Sequence, residues 1–172
     1  MHKAFGVVHA RRGDELNLLP GQLYFGHQAA RVRTLLGSCV ALTMWHPVKH
    51  IGGMCHYLLP SRRRPVGAPL DGRFGDEAVE LMLAQMHHSG TAPGEYEVHL
   101  YGGADTMPDR AGVKLNIGER NIEQGWNSIE AHGLQLVAVD VGDHVPRHVH
   151  MDMHSGDVSM RRGQPTAKGT QP

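Results

Sequence analysis

Residues 32 to 45 read Val-Arg-Thr-Leu-Leu-Gly-Ser-Cys-Val-Ala-Leu-Thr-Met-Trp, and residues 51 to 60 read Ile-Gly-Gly-Met-Cys-His-Tyr-Leu-Leu-Pro. Between them lies a polar turn around His46, Pro47 and Lys49. The apolar runs Val40 to Trp45 and Met54 to Leu59 are each too short for a helix and are bounded by turn residues, so both read as buried strands that neighbour one another in a sheet. That pairing sets the chemistry as well as the fold. Gly37 and Ser38 place a tight turn immediately before Cys39, at the head of the first strand. His56 lies within the second strand. A thiol at a glycine turn beside an imidazole on an adjacent strand is a candidate nucleophile and base, with an imidazolium stabilising the reactive thiolate. The backbone N–H groups of Gly37 and Ser38, at the turn, are candidates for holding an oxyanion. A lone cysteine is more commonly a small buried hydrophobe, and that reading fits Cys55, which alternation puts on the face opposite His56.

Working outward from this pair, Gln22 to Phe25 reads as a short strand and Ala29 to Leu36 leads into the glycine turn. Residues 1 to 20 are mixed and suggest no element. After Pro60 a loop rich in Pro, Gly and Arg runs to Gly72; loops of that length often form lids or binding edges. A helix follows, with Asp76 expected to cap it and Val79, Met82, Leu83 and Met86 on one face. His87 and His88 suit the end of that helix, which Gly90 closes. Tyr96 to Tyr101 alternates as a strand and runs into Gly102-Gly103-Ala104, where the chain must turn or approach something closely. A second helix is expected over about 119 to 132, with Ile122, Trp126 and Ile129 inward and Gly125 weakening it. Leu134 to Val141 is a strand. In Arg147 to Met153, His148, His150, Asp152 and His154 alternate with Val149, Met151 and Met153. Asp157 to Met160 reads as a last short strand.

Composition bounds the function. The 172 residues suggest one domain, about 1–162, with 163–172 a disordered tail. Lysine plus arginine and aspartate plus glutamate balance at 17 each, which argues against a broad nucleic-acid footprint. Fourteen histidines make the charge sensitive to pH. Residues 1 to 12 do not resemble a secretory signal and no run reaches membrane length, so the expected location is the cytoplasm, with both cysteines reduced. The alternating histidines could chelate a transition metal, but a solvated strand face is the commoner meaning of such a pattern. Pattern alone gives a strand-rich mixed class.

Several motifs occurring in one order carry a resemblance. Leu36-Gly37-Ser38-Cys39-Val40-Ala41, followed by Gly52-Gly53-Met54-Cys55-His56-Tyr57-Leu58-Leu59-Pro60, resembles the signature of the chemoreceptor glutamine deamidase family, CheD. Gly72 to Ala78, Tyr101-Gly102-Gly103-Ala104, Ile117-Gly118-Glu119-Arg120-Asn121, and Asp140-Val141-Gly142 through Arg147 to Ser155-Gly156 continue the likeness over roughly residues 20 to 162. The resemblance implies an α+β fold, with mixed β-sheets packed as a sandwich and helices outside, of cysteine-hydrolase type. It implies a cytoplasmic hydrolase, with no metal or other cofactor, that converts glutamine side chains of methyl-accepting chemotaxis proteins to glutamate, with hydrolysis of glutamyl methyl esters a second candidate activity. In the family a Cys–His pair acts with a threonine six residues before the cysteine. Cys39 and His56 match the pair. Arg33 stands at the sixth position and Thr34 at the fifth, so Thr34 is the candidate third member. The arginines of the 61–69 loop are candidates for contact with acidic helix faces of the receptor. Two rival classes remain: an adaptor that regulates a chemotaxis phosphatase, which some family members pair with, and a metal-binding protein that uses the His148–His154 strand.

Overall fold

A computed structural model describes residues 5–106 and 116–164. Nine strands and two longer helices are described, in an α+β arrangement. They are β1 (Glu15–Leu18), β2 (Leu23–Gly26), β3 (Arg31–Leu36), β4 (Val40–His46), β5 (Ile51–Tyr57), α1 (Gly75–His88), β6 (Glu97–Gly102), α2 (Ile117–His132), β7 (Gln135–Val141), β8 (Arg147–Asp152) and β9 (Val158–Arg162), with a 3-10 turn at Pro93–Glu95 before β6. One sheet runs β2-β5-β4-β6-β7 and the other β1-β3-β8-β9. Both are mixed: β6–β7 and β1–β3 pair in parallel and the remaining neighbours antiparallel.

The pairing expected of the two apolar runs is present. β4 and β5 are antiparallel neighbours in register from Val40–Tyr57 to His46–Ile51. Both strands are buried on both faces, which is why they read as continuous apolar runs and not as alternation. One face sends Val40, Leu42, Met44, Cys55 and Tyr57 into a core shared with Val79, Met82 and Met86 of α1 and Ile129 of α2. The other sends Ala41, Trp45 and Met54 against Val32, Leu36, Val149 and Met151 of the second sheet. The helices therefore cover one sheet, and the second sheet closes over its other side. The solvent face of the second sheet carries His150 and Arg33, which are cross-strand partners.

Some expectations need correction. β1 had no sequence signal; its four residues gain regular structure by pairing with β3. Asp76 does not cap α1. The helix starts at Gly75 after Phe74, without a side-chain cap, and the Asp76 carboxylate instead accepts from the Glu77 N–H. Trp126 is 41% exposed, so the inward stripe of α2 is offset from Ile122-Trp126-Ile129. The buried residues are Gly118, Asn121, Gly125, Ser128 and Ile129. Gly125 does not merely weaken the helix, because a Cβ there would crowd Leu100 and the Tyr57 hydroxyl. Hydrophobic periodicity cannot locate the docking face of a helix that packs through its small residues. Gly163 still bonds through its N–H to Pro146 O, and residues 165–172 of the expected tail lie outside the described residues.

Candidate active site

The antiparallel register of β4 and β5 places Ala41 opposite His56. Cys39, two residues before Ala41, lies on the same side and packs with the inter-sheet core. Thiol and imidazole are thus diagonal neighbours on one face. Cys55 points the other way, fully buried in the helix-side core.

The side chain that meets His56 comes from the facing sheet. Along β3, exposed and buried residues alternate, so Arg33 faces solvent and Thr34 faces inward. Thr34 Oγ1 lies 2.6 Å from His56 Nδ1 and donates to Leu18 O at 2.8 Å. A hydroxyl has one proton, and a carbonyl can only accept. Thr34 therefore spends its proton on Leu18 and accepts the imidazole's, which fixes His56 as the Nδ1–H tautomer. The lone pair is left on Nε2. That nitrogen is sealed from solvent and has no hydrogen-bond partner among the described residues.

Burial sets the charges. It raises the Cys39 thiol to about 11 and lowers the His56 imidazole to about 4. At neutral pH both groups are uncharged, which corrects the expectation of a preformed thiolate–imidazolium pair. Removal from water disfavours the charged form of each group.

The turn that carries the thiol is braced from two directions. Gly103 N–H donates to Cys39 O at 2.8 Å and Ala104 N–H to Gly37 O at 3.0 Å. The glycine turn after β6 supplies both donors, at positive φ for Gly102 and Gly103. At Gly103 a Cβ would overlap Ile122 of α2. From α2, Asn121 Nδ2 donates to Ser38 O at 3.0 Å and to Leu58 O at 2.8 Å. Among the described residues, the Ser38 and Cys39 N–H groups donate to no backbone carbonyl.

Comparison with known proteins identifies the relatives of this arrangement. A family model described as CheD chemotactic sensory transduction matches residues 58–162, more than half of the chain. A Dechloromonas aromatica protein named "Probable chemoreceptor glutamine deamidase CheD 3" is 48% identical over 84% of this chain and 85% of its own. The chain belongs to the CheD family. A second relative, from Pseudomonas syringae pv. tomato and named "Probable chemoreceptor glutamine deamidase CheD", is 43% identical over 92% of this chain and 91% of its own. A third, "Probable chemoreceptor glutamine deamidase CheD 1" of Chromobacterium violaceum, is 41% identical over 88% and 79%. The CheD family model begins just after His56, whereas an alignment over 92% of the chain takes in residues 34 to 56.

The structure also brings to this CheD site residues that had no assigned role in the sequence. Arg147 is fully buried at the start of β8, opposite Leu36. Its Nη2 lies 2.8 Å from Asp140 Oδ1 on β7, and its Nη1 donates to Gly142 O at 2.9 Å. Arg162 reaches the same Asp140 and also Asp143. Burial opposes the charge on Asp140, but hydrogen bonds from Arg162 and Arg147 hold its carboxyl below the usual range. This cluster fastens the two sheets together at the Cys39 end. Periodicity could not flag Arg147, because an arginine reads as a surface residue.

The loop after β5 is pinned as well. Arg62 donates twice to the buried Glu77 and stacks on Phe74, 4.8 Å from the ring centre, so it is not free for a partner; Arg63 and Arg64 are exposed. His148 and His150 face away from the inter-sheet core. Asp152 Oδ1 accepts from the His154 and Ser155 N–H groups. Among the described residues, no three His, Cys, Asp or Glu side chains converge as metal ligands. No described helix is long and apolar enough to cross a membrane.

Proposed function

We propose that this chain is a chemoreceptor glutamine deamidase of the chemotaxis adaptation system, a cysteine hydrolase working in the cytoplasm as a single domain. The observation that carries the mechanism is the relay Leu18 O, Thr34 Oγ1, His56 Nδ1, which leaves His56 Nε2 as a base on the face shared with Cys39.

The resting pair is neutral, so the thiol is activated as it reacts and not in advance. Cys39 Sγ attacks the carboxamide carbon of a receptor glutamine while His56 Nε2 takes the thiol proton. The oxygen of the tetrahedral intermediate is met by the backbone N–H groups beside the sulfur, in the Gly37-Ser38-Cys39 turn. The C–N bond then breaks, and His56 returns its proton to the leaving nitrogen, giving ammonia and a thioester. Water adds to the thioester with His56 again as base, and glutamate and the free thiol result. The buried imidazole is charged only transiently, and the Thr34 oxygen supports the Nδ1–H in that state, the part an acidic or amide side chain plays in other triads. A glutamyl methyl ester offers the same acyl carbon with an alkoxide leaving group, so the site would also hydrolyse esters. Arg63 and Arg64, exposed beside Arg62, are the part of the loop assigned here to contact with acidic receptor helices.

The test is ammonia release from a receptor fragment bearing target glutamines, with peptide mass spectrometry to locate the glutamate formed. Cys39→Ala should abolish both signals and Cys55→Ala neither. A dead Cys55→Ala with an active Cys39→Ala would reverse the assignment of the nucleophile. The adaptor reading predicts that neither substitution changes the receptor and that Cys39 is alkylated no faster than Cys55.

A further inference from the structure

We infer that Asn121 is a positioning residue for the Cys39–His56 pair, an inference that rests on the mechanism proposed above. The β4–β5 ladder ends at Val40–Tyr57. Beyond it the strands part: Cys39 O takes the Gly103 N–H, and Leu58 N–H turns to Arg73 O. Nothing in the ladder then sets the separation between the turn before the nucleophile and the segment after the base. The amide of Asn121 fills this split. One planar NH₂ group donates to Ser38 O and Leu58 O, carbonyls of residues 83 and 63 positions away along the chain. The helix backbone is fixed at the same residue, where the Tyr57 hydroxyl donates to Asn121 O at 2.6 Å.

The two carbonyls also determine which way the amide faces, since the oxygen end would be repelled by both. Its Oδ1 is consequently buried with no partner among the described residues. A bare buried acceptor is unfavourable. An asparagine kept at this point for stability alone would be a poor choice. It is well suited to holding two backbone segments at a fixed gap. Because Ser38 O belongs to the peptide whose N–H is that of Cys39, the clamp also aims an N–H beside the sulfur.

The experiment is a double-mutant cycle on alkylation of Cys39 by iodoacetamide at pH 7.5 in the full-length protein, read at the Cys39 peptide by mass spectrometry. If His56 withdraws the thiol proton, His56→Ala slows alkylation at least about tenfold in the otherwise unchanged protein. With Asn121→Ala or Asn121→Ser in place, the same His56→Ala change should alter the rate by less than about twofold, because the pair is no longer held in register. The serine variant keeps a small polar group in the pocket and carries the test should the alanine variant not fold. Tyr57→Phe loosens α2 without touching the amide clamp and should preserve the tenfold effect. A tenfold His56 effect that persists in a folded Asn121 variant overturns the inference while leaving the pair standing. No His56 effect in the unsubstituted protein would instead remove the pair, and Asn121's role with it.

Discussion

The two faces of β5 carry adjacent residues with opposite surroundings. Cys55 looks toward the helices, among Leu42, Val79 and Met82, where burial drives its thiol up to about 12. His56 looks toward the second sheet, where a threonine and a carbonyl wait for its proton-bearing nitrogen. Both side chains are almost fully removed from water. Burial alone therefore does not separate structural from chemical residues here. The separating feature is a polar relay built across the gap between two sheets. A cysteine without such a relay is a packing residue, and one beside it can be a nucleophile.

The largest effect that could break this comparison is on turnover. Removing a general base typically costs about 10² to 10⁴ in rate. His56→Ala should therefore reduce ammonia release by at least the lower figure, whereas Cys55→Ala, one residue away, should leave it within about twofold, a change far below that range. Equal losses from both would mean that the β4–β5 register has been read wrongly. Thr34→Val comes next. It preserves shape but leaves the Nδ1–H without an acceptor and frees the other tautomer. We expect kcat to fall by about 10- to 100-fold, the loss of roughly 1.5 to 3 kcal/mol that a hydrogen bond to a charged group is worth. Arg33→Ala, the neighbouring surface residue, should not change kcat. A silent Thr34→Val combined with a damaging Arg33→Ala would hand the role back to the position that the family spacing suggested.

The paired strands, both helices and the Cys39–His56 match could be read from the sequence because each has a local signature: short apolar runs, a 3.6-residue period, a glycine turn. What escaped it depends on contacts between distant segments. β1 exists only because β3 is beside it. Arg147 is buried only because Asp140 meets it from another sheet. Thr34 is the candidate over Arg33 from the family likeness, but only the packing of β3 against the other sheet places its hydroxyl against His56. The charge state of the pair was misjudged for the same reason, since the extent of burial is a property of three packed layers and not of a motif.

Acid sensitivity is read on stability and not on turnover, and it has a definite sign. The His56 pKa falls from the ordinary 6.5 when unfolded to about 4 in the folded chain. Between those values the unfolded chain holds the extra proton, so stability rises with pH over that window and levels off above about 6.5. The full window is worth about 3 kcal/mol at 1.36 kcal/mol per pH unit. Other groups titrate there too, so the useful quantity is a difference: urea midpoints of the unsubstituted chain minus those of His56→Gln, measured from pH 4 to 7. That difference should grow toward neutral pH in favour of the histidine protein.

The smallest effect belongs to the other face of the strand. Cys55→Ser places a hydroxyl in a fully buried position packed against apolar side chains and should cost about 1–3 kcal/mol in the same urea measurement. Its cost should be flat across the pH 4 to 7 window, because neither a serine hydroxyl nor a thiol raised to about 12 titrates there. A pH-dependent cost at Cys55 would mean that the two faces of β5 are electrostatically coupled. The separation of a chemical side from a structural side would then have to be given up, even if every activity measurement agreed with it.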